Sequence, residues 1–295
     1  MVIALYGNIV DKEHKGDIEL LFGELAKRGA EVIVYAPFLE FLRSMLGHTP
    51  QVKAVYRTPG EVKHLANFMI SIGGDGTFLE SVSFIEDSCV PMVGINFGRL
   101  GFLAHISSED IPSAIEQIFN KMYTVEKRSA LELVMDNNPF ENFPFGLNDF
   151  TLQKKGTAMI TINTYIDGEF LCTYWSDGLI VSTPTGSTAY SLSVGGPILS
   201  PTTSAFVISP IAPHNLTVRP LVIPDSSTLT LKATTRDNEI LMSLDSRSVA
   251  VGSSLTATIK KASFCVGVVN LRGNNYFKTL RNKLMWGADT RNTKD

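Results

Sequence analysis

The sequence predicts an α/β domain built on a parallel sheet, followed by a β-rich, mainly antiparallel domain. Three observations carry that prediction. Short β-branched runs alternate with helically spaced apolar residues through roughly residues 1–120, a rhythm that builds parallel sheets with helices on their faces. One of those runs ends in a cluster of glycines, Gly73-Gly74-Asp75-Gly76, at the strand end where such sheets bind ligands. Further along, apolar and polar residues alternate with period two, and an Asp-Gly pair separates two β-rich stretches, as in antiparallel hairpins.

The elements follow in order. Residues 2–6 are an apolar run closed by Gly7-Asn8 and read as a buried strand. Residues 17–28 place Ile18, Leu21, Phe22 and Leu25 at helical spacing, with Gly29 as the stop. Residues 31–35, 68–72 and 90–95 are further strands, and a helix is expected from about Thr77. This half is Rossmann-like in its alternation. Residues 161–166 and 170–175 flank Asp167-Gly168-Glu169 and predict a hairpin. Leu229, Leu231 and Ala233 alternate with polar residues, Arg236-Asp237-Asn238-Glu239 is expected to turn the chain, and Ile240, Met242 and Leu244 resume the pattern. Residues 275–286 predict a helix with Phe277, Leu280 and Leu284 on one face. The expected domains are residues 1–124, residues 125–270, and a helical tail of residues 271–295 that packs back on the first domain.

Composition narrows the function. The 295 residues carry 26 basic and 29 acidic side chains and are 44% apolar, which excludes a disordered or collagen-like chain. The net charge of −3 argues against an electrostatic nucleic-acid binder. No apolar stretch approaches the ~18 residues of a membrane span, and the N-terminus lacks the pattern of a signal peptide. Cys89, Cys172 and Cys265 have no CxxC spacing and are expected as buried free thiols in a reducing compartment, so the expected location is cytoplasmic. From Leu271 onward there are six basic and two acidic residues, an asymmetry that a solvated helix face explains.

Four segments carry chemistry. In Gly73-Gly74-Asp75-Gly76-Thr77 the absent side chains let backbone amides approach a polyanion, and the following helix N-terminus adds its dipole. Asp75 would repel phosphate unless it binds a cation or takes a proton from an attacking hydroxyl, both at home in phosphoryl transfer. The alternative is a plain turn with Asp75 capping the Thr77 helix. There is no GxxxxGK[ST], and Leu79 replaces the third glycine of a GxGxxG, so neither P-loop hydrolysis nor hydride transfer is supported. The second segment, residues 177–197, runs from Asp177 through an apolar strand into Thr183-Pro184-Thr185-Gly186-Ser187-Thr188-Ala189-Tyr190-Ser191-Leu192-Ser193. Its hydroxyls suit ribose, amide and base edges, and Tyr190 offers a stacking face. A solvated Ser/Thr-rich loop is the competing reading. Asn148-Asp149, the third, can hold neighbouring sugar hydroxyls or form a turn, and Lys154-Lys155-Gly156 just beyond reads as a solvated loop. Asp245-Ser246-Arg247 offers an Arg to a diphosphate, or an exposed hairpin ion pair. The five histidines form no HxxH or HExxH pair, so no protein-held catalytic metal is expected.

Together these segments resemble the NAD kinase family. The family's GGDGT loop, its Asn-Glu/Asp pair and its long DGLIxSTPTGSTAYxLSxGGP block occur in that order, as residues 73–77, 148–149 and 177–197, and Phe97-Gly98-Arg99-Leu100-Gly101-Phe102-Leu103 is similar to its GxLGFL stretch. The GGDGT loop alone is shared with diacylglycerol-type lipid kinases. The resemblance implies a kinase that phosphorylates the 2′-hydroxyl of the adenosine ribose of NAD with ATP, giving NADP and ADP. Asp75 would accept the hydroxyl proton. Gly73, Gly74, Gly76 and Thr77 would form the ATP phosphate loop. Asp75, Gly76, Asn148, Asp149, Asp177, Thr188, Ala189, Tyr190, Ser191, Ser193 and Arg247 would contact NAD, lying in a cleft between the domains. It further implies Mg²⁺ arriving with ATP and a homodimer or homotetramer. The rival readings are a lipid kinase, which leaves the hydroxyl-rich block without a role, and a non-catalytic NAD-binding regulator.

Overall fold

A computed structural model describes residues 1–288 and divides the chain into two units, Met1–Lys127 with Val266–Asp295, and Arg128–Cys265. In unit 1, β1 (Val2–Gly7) is followed by α1 (Lys15–Lys27), which buries Ile18, Leu21 and Leu25. The chain turns at Gly29, whose φ of +65° suits glycine. Next come β2 (Glu31–Tyr35) and α2 (Ala36–Leu46), which has a proline in its first turn and a left-handed Gly47 at its end. β3 (Ala54–Tyr56), β4 (Phe68–Ile72), α3 (Asp75–Ile85), β5 (Met92–Ile95), β6 (Ala104–Ile106) and α4 (Ile111–Phe119) follow, and β7 (Tyr123–Val134) leads into unit 2.

The strands of unit 1 are parallel, in the order β3-β2-β1-β4-β5. After β1 the chain proceeds to one side, through β2 and β3; after β4 it proceeds to the other. The point between the carboxyl ends of β1 and β4 is therefore a topological switch, where open α/β sheets bind ligands. The glycine cluster opens there. Ile3, Leu5, Leu21, Phe38, Ile70 and Val93 belong to one buried core between sheet and helices.

Unit 2 is antiparallel. Its elements are β8 (Phe145–Gly146), β9 (Asp149–Lys154), β10 (Ile160–Ile166), β11 (Glu169–Ser176), β12 (Gly178–Ser182), the short α5 (Tyr190–Ser193), β13 (Ala205–Ile211), β14 (Leu221–Pro224), β15 (Leu229–Leu244) and the start of β16 (Arg247–Leu271). The sheet runs β14-β13-β12-β9-β15-β16, and the β10–β11 hairpin joins through β10 on β15. Both Asp167 (φ +51°) and Gly168 (φ +87°) turn left-handed in that hairpin, the geometry of a two-residue primed turn. Alternate residues Leu229, Leu231, Ala233, Ile240, Met242 and Leu244 of β15 are buried in one core. The end of β16 returns to unit 1, where Val268 pairs with Met92, and α6 (Tyr276–Leu284) follows, capped by the Asn275 side chain on the Lys278 amide.

Several sequence expectations are corrected. Residues 236–239 do not turn the chain: β15 continues through them with a register shift between Thr234 and Glu239. The Asp237 carboxylate accepts the Ala158 amide there, so a polar quartet reads as a bulge once a neighbouring segment caps it. Helix α3 begins at Asp75, two residues before the expected start. In α6 only Leu280 is buried, while Phe277 is 61% exposed. Cys89 is exposed and Cys172 and Cys265 are half-buried, all three free, so the expected burial fails. Residues 289–295 of the expected tail lie outside the described residues. Among the described residues no helix is long and apolar enough to cross a membrane.

Candidate functional site

A first cluster of candidate residues, in unit 1, grows out of β4. Gly73 takes φ +141°, and a Cβ there would sit 2.5 Å from the Thr77 hydroxyl oxygen, so only glycine fits. Gly74 is extended at the N-cap and α3 starts with Asp75. The first-turn amides of an α-helix have no intrahelical partner and stand at the positive end of its dipole, so residues 73–77 can receive an anion. Asp75 does not cap the helix. Its carboxylate reaches the segment before β6, where Oδ2 accepts the Phe102 amide at 2.8 Å and Oδ1 those of Leu103 and Ala104 at 3.0 and 2.9 Å. Gly101 makes this seating possible, since a Cβ on it would fall 1.8 Å from Asp75 Oδ1. A carboxylate has about four lone-pair sites. Three are filled by amides, leaving room for one further donor. Glu80, on α3, accepts the Asn8 amide at 2.7 Å and the Tyr6 hydroxyl at 3.2 Å. Burial, then Glu80, raise that phenol well above its ordinary range.

A second cluster, in unit 2, gathers around Asn148 and Asp149, where β9 begins. The Asp245 carboxylate accepts three successive amides, Leu147 at 2.8 Å, Asn148 at 2.7 Å and Asp149 at 3.1 Å. Asp245 sits half-buried in the β15–β16 turn with φ +52°. Asp149 is 7% exposed. Burial, then the Asp245 charge, push its carboxyl up to about 7, against a lesser opposing effect of the Thr151 hydroxyl. Asp245 is itself raised by burial, a shift opposed by its three amides and by Arg247. Among the described residues the Asn148 carboxamide has no hydrogen bond, so it is available to a ligand.

The hydroxyl-rich block packs on the same segment. The Thr183 amide donates to the Asn148 carbonyl at 2.9 Å and its hydroxyl to the Leu147 carbonyl. At Gly186 a Cβ would lie 2.0 Å from that Asn148 oxygen. Most hydroxyls here serve the loop itself: Ser187 to Pro184, Thr188 to Thr185, Ser193 to Tyr190, and Ser191 with Ser209. Tyr190 is 38% exposed, an open ring face. Asp177 pairs with Lys154 at 2.7 Å, so Lys154 ends β9 and does not belong to a loop; Lys155, 52% exposed and paired with Glu239 at 2.7 Å, lies with Gly156 in the exposed bend that follows. Arg247 is neither an exposed hairpin ion pair nor an open diphosphate ligand. Its guanidinium donates to the Phe143 and Phe145 carbonyls at 2.5 and 2.6 Å and lies over the Phe140 and Phe143 rings.

Unit 2 thus sets Asn148 and Asp149 against the 183–186 turn, while Asp177 lies at the other end of the β9–β12 pairing, beside Lys154; unit 1 brings Asp75 to residues 101–104. Sequence reasoning placed Asp245 only in a hairpin ion pair and gave no role to the amides of Phe102, Leu103 and Ala104. Gly101 was a usable signal for the second; for Asp245, some 97 residues from its partners, no local signal exists. Among the described residues no group of three or more His, Cys, Asp or Glu is placed to hold a metal.

The ATP-NAD kinase N-terminal domain family matches residues 19–123 and the ATP-NAD kinase C-terminal domain family residues 147–270. The NAD kinase of Flavobacterium johnsoniae is 44% identical over 298 residues, covering 99% of this chain and 100% of its own. That of Cytophaga hutchinsonii is 41% identical over 293 residues with the same coverage. Yeast NADH kinase, solved in complex with NADH, has the same fold, with a TM-score of 0.84 at 24% identity over 100% of this chain and 90% of its own. The NAD kinase of Archaeoglobus fulgidus, solved with ATP, gives a TM-score of 0.73 at 25% identity over 97% and 99%. These matches favour a dinucleotide kinase over a lipid kinase or a non-catalytic regulator. The chain belongs to the NAD kinase family.

Proposed function

We propose that the protein is an ATP-dependent NAD kinase in which Asp75 is the proton acceptor. The observation that carries this role is the Asp75 carboxylate, seated on three amides at the sheet's switch point with one acceptor position left. The adenosine 2′-hydroxyl of NAD donates into that position, and its oxygen attacks the γ-phosphorus of ATP. The O2′–P bond forms, the bond to the β-phosphate oxygen breaks, and the hydroxyl proton passes to Asp75, giving NADP and ADP. General-base help of this kind is worth about 10²–10⁴ in rate, and positioning adds to it. Residues 73–77 receive the phosphates of ATP, which arrives with Mg²⁺. Asn148 and Asp149 hold the dinucleotide by its ribose or base. Asp177 serves the nicotinamide amide, and residues 188–193 line the dinucleotide, with Tyr190 offering its face. Arg247 acts at a distance, holding the 143–145 backbone beside Asn148.

Three free cysteines, none in a disulfide, support a reducing, cytoplasmic setting. Self-association into a dimer or tetramer is supported by Met159, Phe170 and Trp175, exposed at 46%, 58% and 48% in and beside the β10–β11 hairpin. The deciding experiment is incubation with NAD, ATP and Mg²⁺, reading NADP through an NADP-specific dehydrogenase. No NADP above a blank lacking ATP would end this reading.

A further inference from the structure

Unit 1 contains a cavity of about 630 Å³, within the range of small-ligand sites. Arg99, Gly101, His105, Lys278, Thr279 and Lys283 line it. Gly101 ties it to the chemistry, because that residue backs directly onto Asp75 Oδ1. Lys278, Thr279, Asn282 and Lys283 come from α6 at spacings of four, so they share one helix face. Arg99, Lys278 and Lys283 have no carboxylate partner among the described residues. The one carboxylate on the lining, Asp110, accepts from the Ser107 hydroxyl at 2.7 Å.

The bland account is a solvated basic tail whose charges favour the end of a helix. It explains Lys283 and Arg281, which lie in the last turn of α6. It leaves Lys278 without a counter-charge: that residue sits in the first turn, where the helix dipole disfavours a cation and α6 has no acidic residue, and its ammonium donates to a neutral acceptor, the Gly273 carbonyl, at 3.2 Å. Nor does it explain why Arg99, from a distant loop, faces the same space. Three cations around one cavity with no carboxylate partner repel each other, and a polyanion between them relieves that repulsion. A local rule broken in this way marks a functional site more often than a structural one.

We infer that this cavity is a polyphosphate subsite in which Arg99, Lys278 and Lys283 hold the phosphate chain of the phosphoryl donor beside Asp75. The inference rests on the kinase reading and adds to the residues 73–77 loop a charged clamp from the C-terminal helix. The chain it takes is that of a nucleoside triphosphate or of inorganic polyphosphate, which share this chemistry.

The test is the variant Arg99→Gln, Lys278→Gln, Lys283→Gln, exposed positions where folding is checked by an unchanged melting curve. The KM for Mg·ATP is expected to rise at least tenfold, with the KM for NAD within twofold of the parent. Calorimetry with ATP and with inorganic tripolyphosphate reads the subsite even in the absence of any NADP formation, which separates its failure from failure of the kinase reading. Loss of affinity for both ligands supports a site for any polyphosphate chain; loss for ATP alone supports one for the nucleotide's chain. Unchanged ATP affinity in the variant overturns the inference.

Discussion

Asp75 is held by the same contacts that make it useful. Its carboxylate uses three amides of residues 102–104, so replacing it with Asn removes the proton acceptor and also one acceptor oxygen from that cradle. The expected outcome for Asp75→Asn is a fold and NAD affinity close to the parent, with turnover lower by about 10²–10⁴. Near-normal turnover would take Asp75 out of the mechanism. Gly101→Ala tests the seating alone, since the added Cβ would meet Asp75 Oδ1 at 1.8 Å. It is expected to lose turnover by at least tenfold although every functional residue is retained, because the Asp75 carboxylate is displaced; full activity would mean that the carboxylate need not sit there. Asp149 gives a pH-dependent prediction. With its carboxyl pushed up to about 7 by burial and then by Asp245, the folded chain binds that proton more tightly than the unfolded one. The resulting stabilisation is complete below about pH 4 and is lost as pH rises toward 7. Asp149→Asn is therefore expected to lose less thermal stability than the parent between about pH 5 and 8. Parallel melting-temperature profiles would show that Asp149 ionises as freely folded as unfolded. The sequence identifies Asp75 and Asp149 as acidic candidates, but their environments come from residues far along the chain.

At the scale of elements, the 147–149 segment of unit 2 is a backbone held from two sides. Asp245 grips the amides of residues 147–149, and the 183–186 turn lies against the Asn148 carbonyl. Gly186→Ala puts a Cβ 2.0 Å from that oxygen, a backbone atom that cannot rotate away. The expected cost is about 1–3 kcal/mol of stability, with a raised KM for NAD, measured by thermal unfolding and initial rates. Wild-type values in both would show that the turn has slack. Elements with a strong local signal were legible: the Asp167-Gly168 hairpin and the alternation of β15 need only turn chemistry and period. The 236–239 quartet was not, because its fate depends on Ala158 bonding to Asp237. Arg247 was equally opaque, since only the folded chain brings the Phe143 and Phe145 carbonyls to its guanidinium.

At the scale of the whole molecule, unit 1 is assembled from both ends of the chain. Val266, Val268, Val269 and Leu271 are at most 4% exposed, and Val269 and Leu271 belong to the core of the parallel sheet. A chain ending at Cys265 loses those side chains, each worth roughly 1.5–3 kcal/mol of burial. Against the 5–15 kcal/mol typical of a whole domain, that loss is large. The truncated protein is expected to be insoluble or to melt far below the parent, and an unchanged melting temperature would show that unit 1 does not need the returning segment.

Hydrophobic period, glycine placement and turn chemistry act between near neighbours, so the sequence by itself determined the α/β and antiparallel halves, the glycine-lined bend carrying Asp75, and the order of motifs that marks the family. Only tertiary structure decided what each carboxylate touches. Asp75 on residues 102–104, Asp245 on residues 147–149 and the basic face of α6 beside Arg99 are contacts between segments from about 27 to 180 positions apart. Their partners are largely backbone amides, which every residue but proline carries. No residue type announces such a partner; only the folded path of the chain selects it.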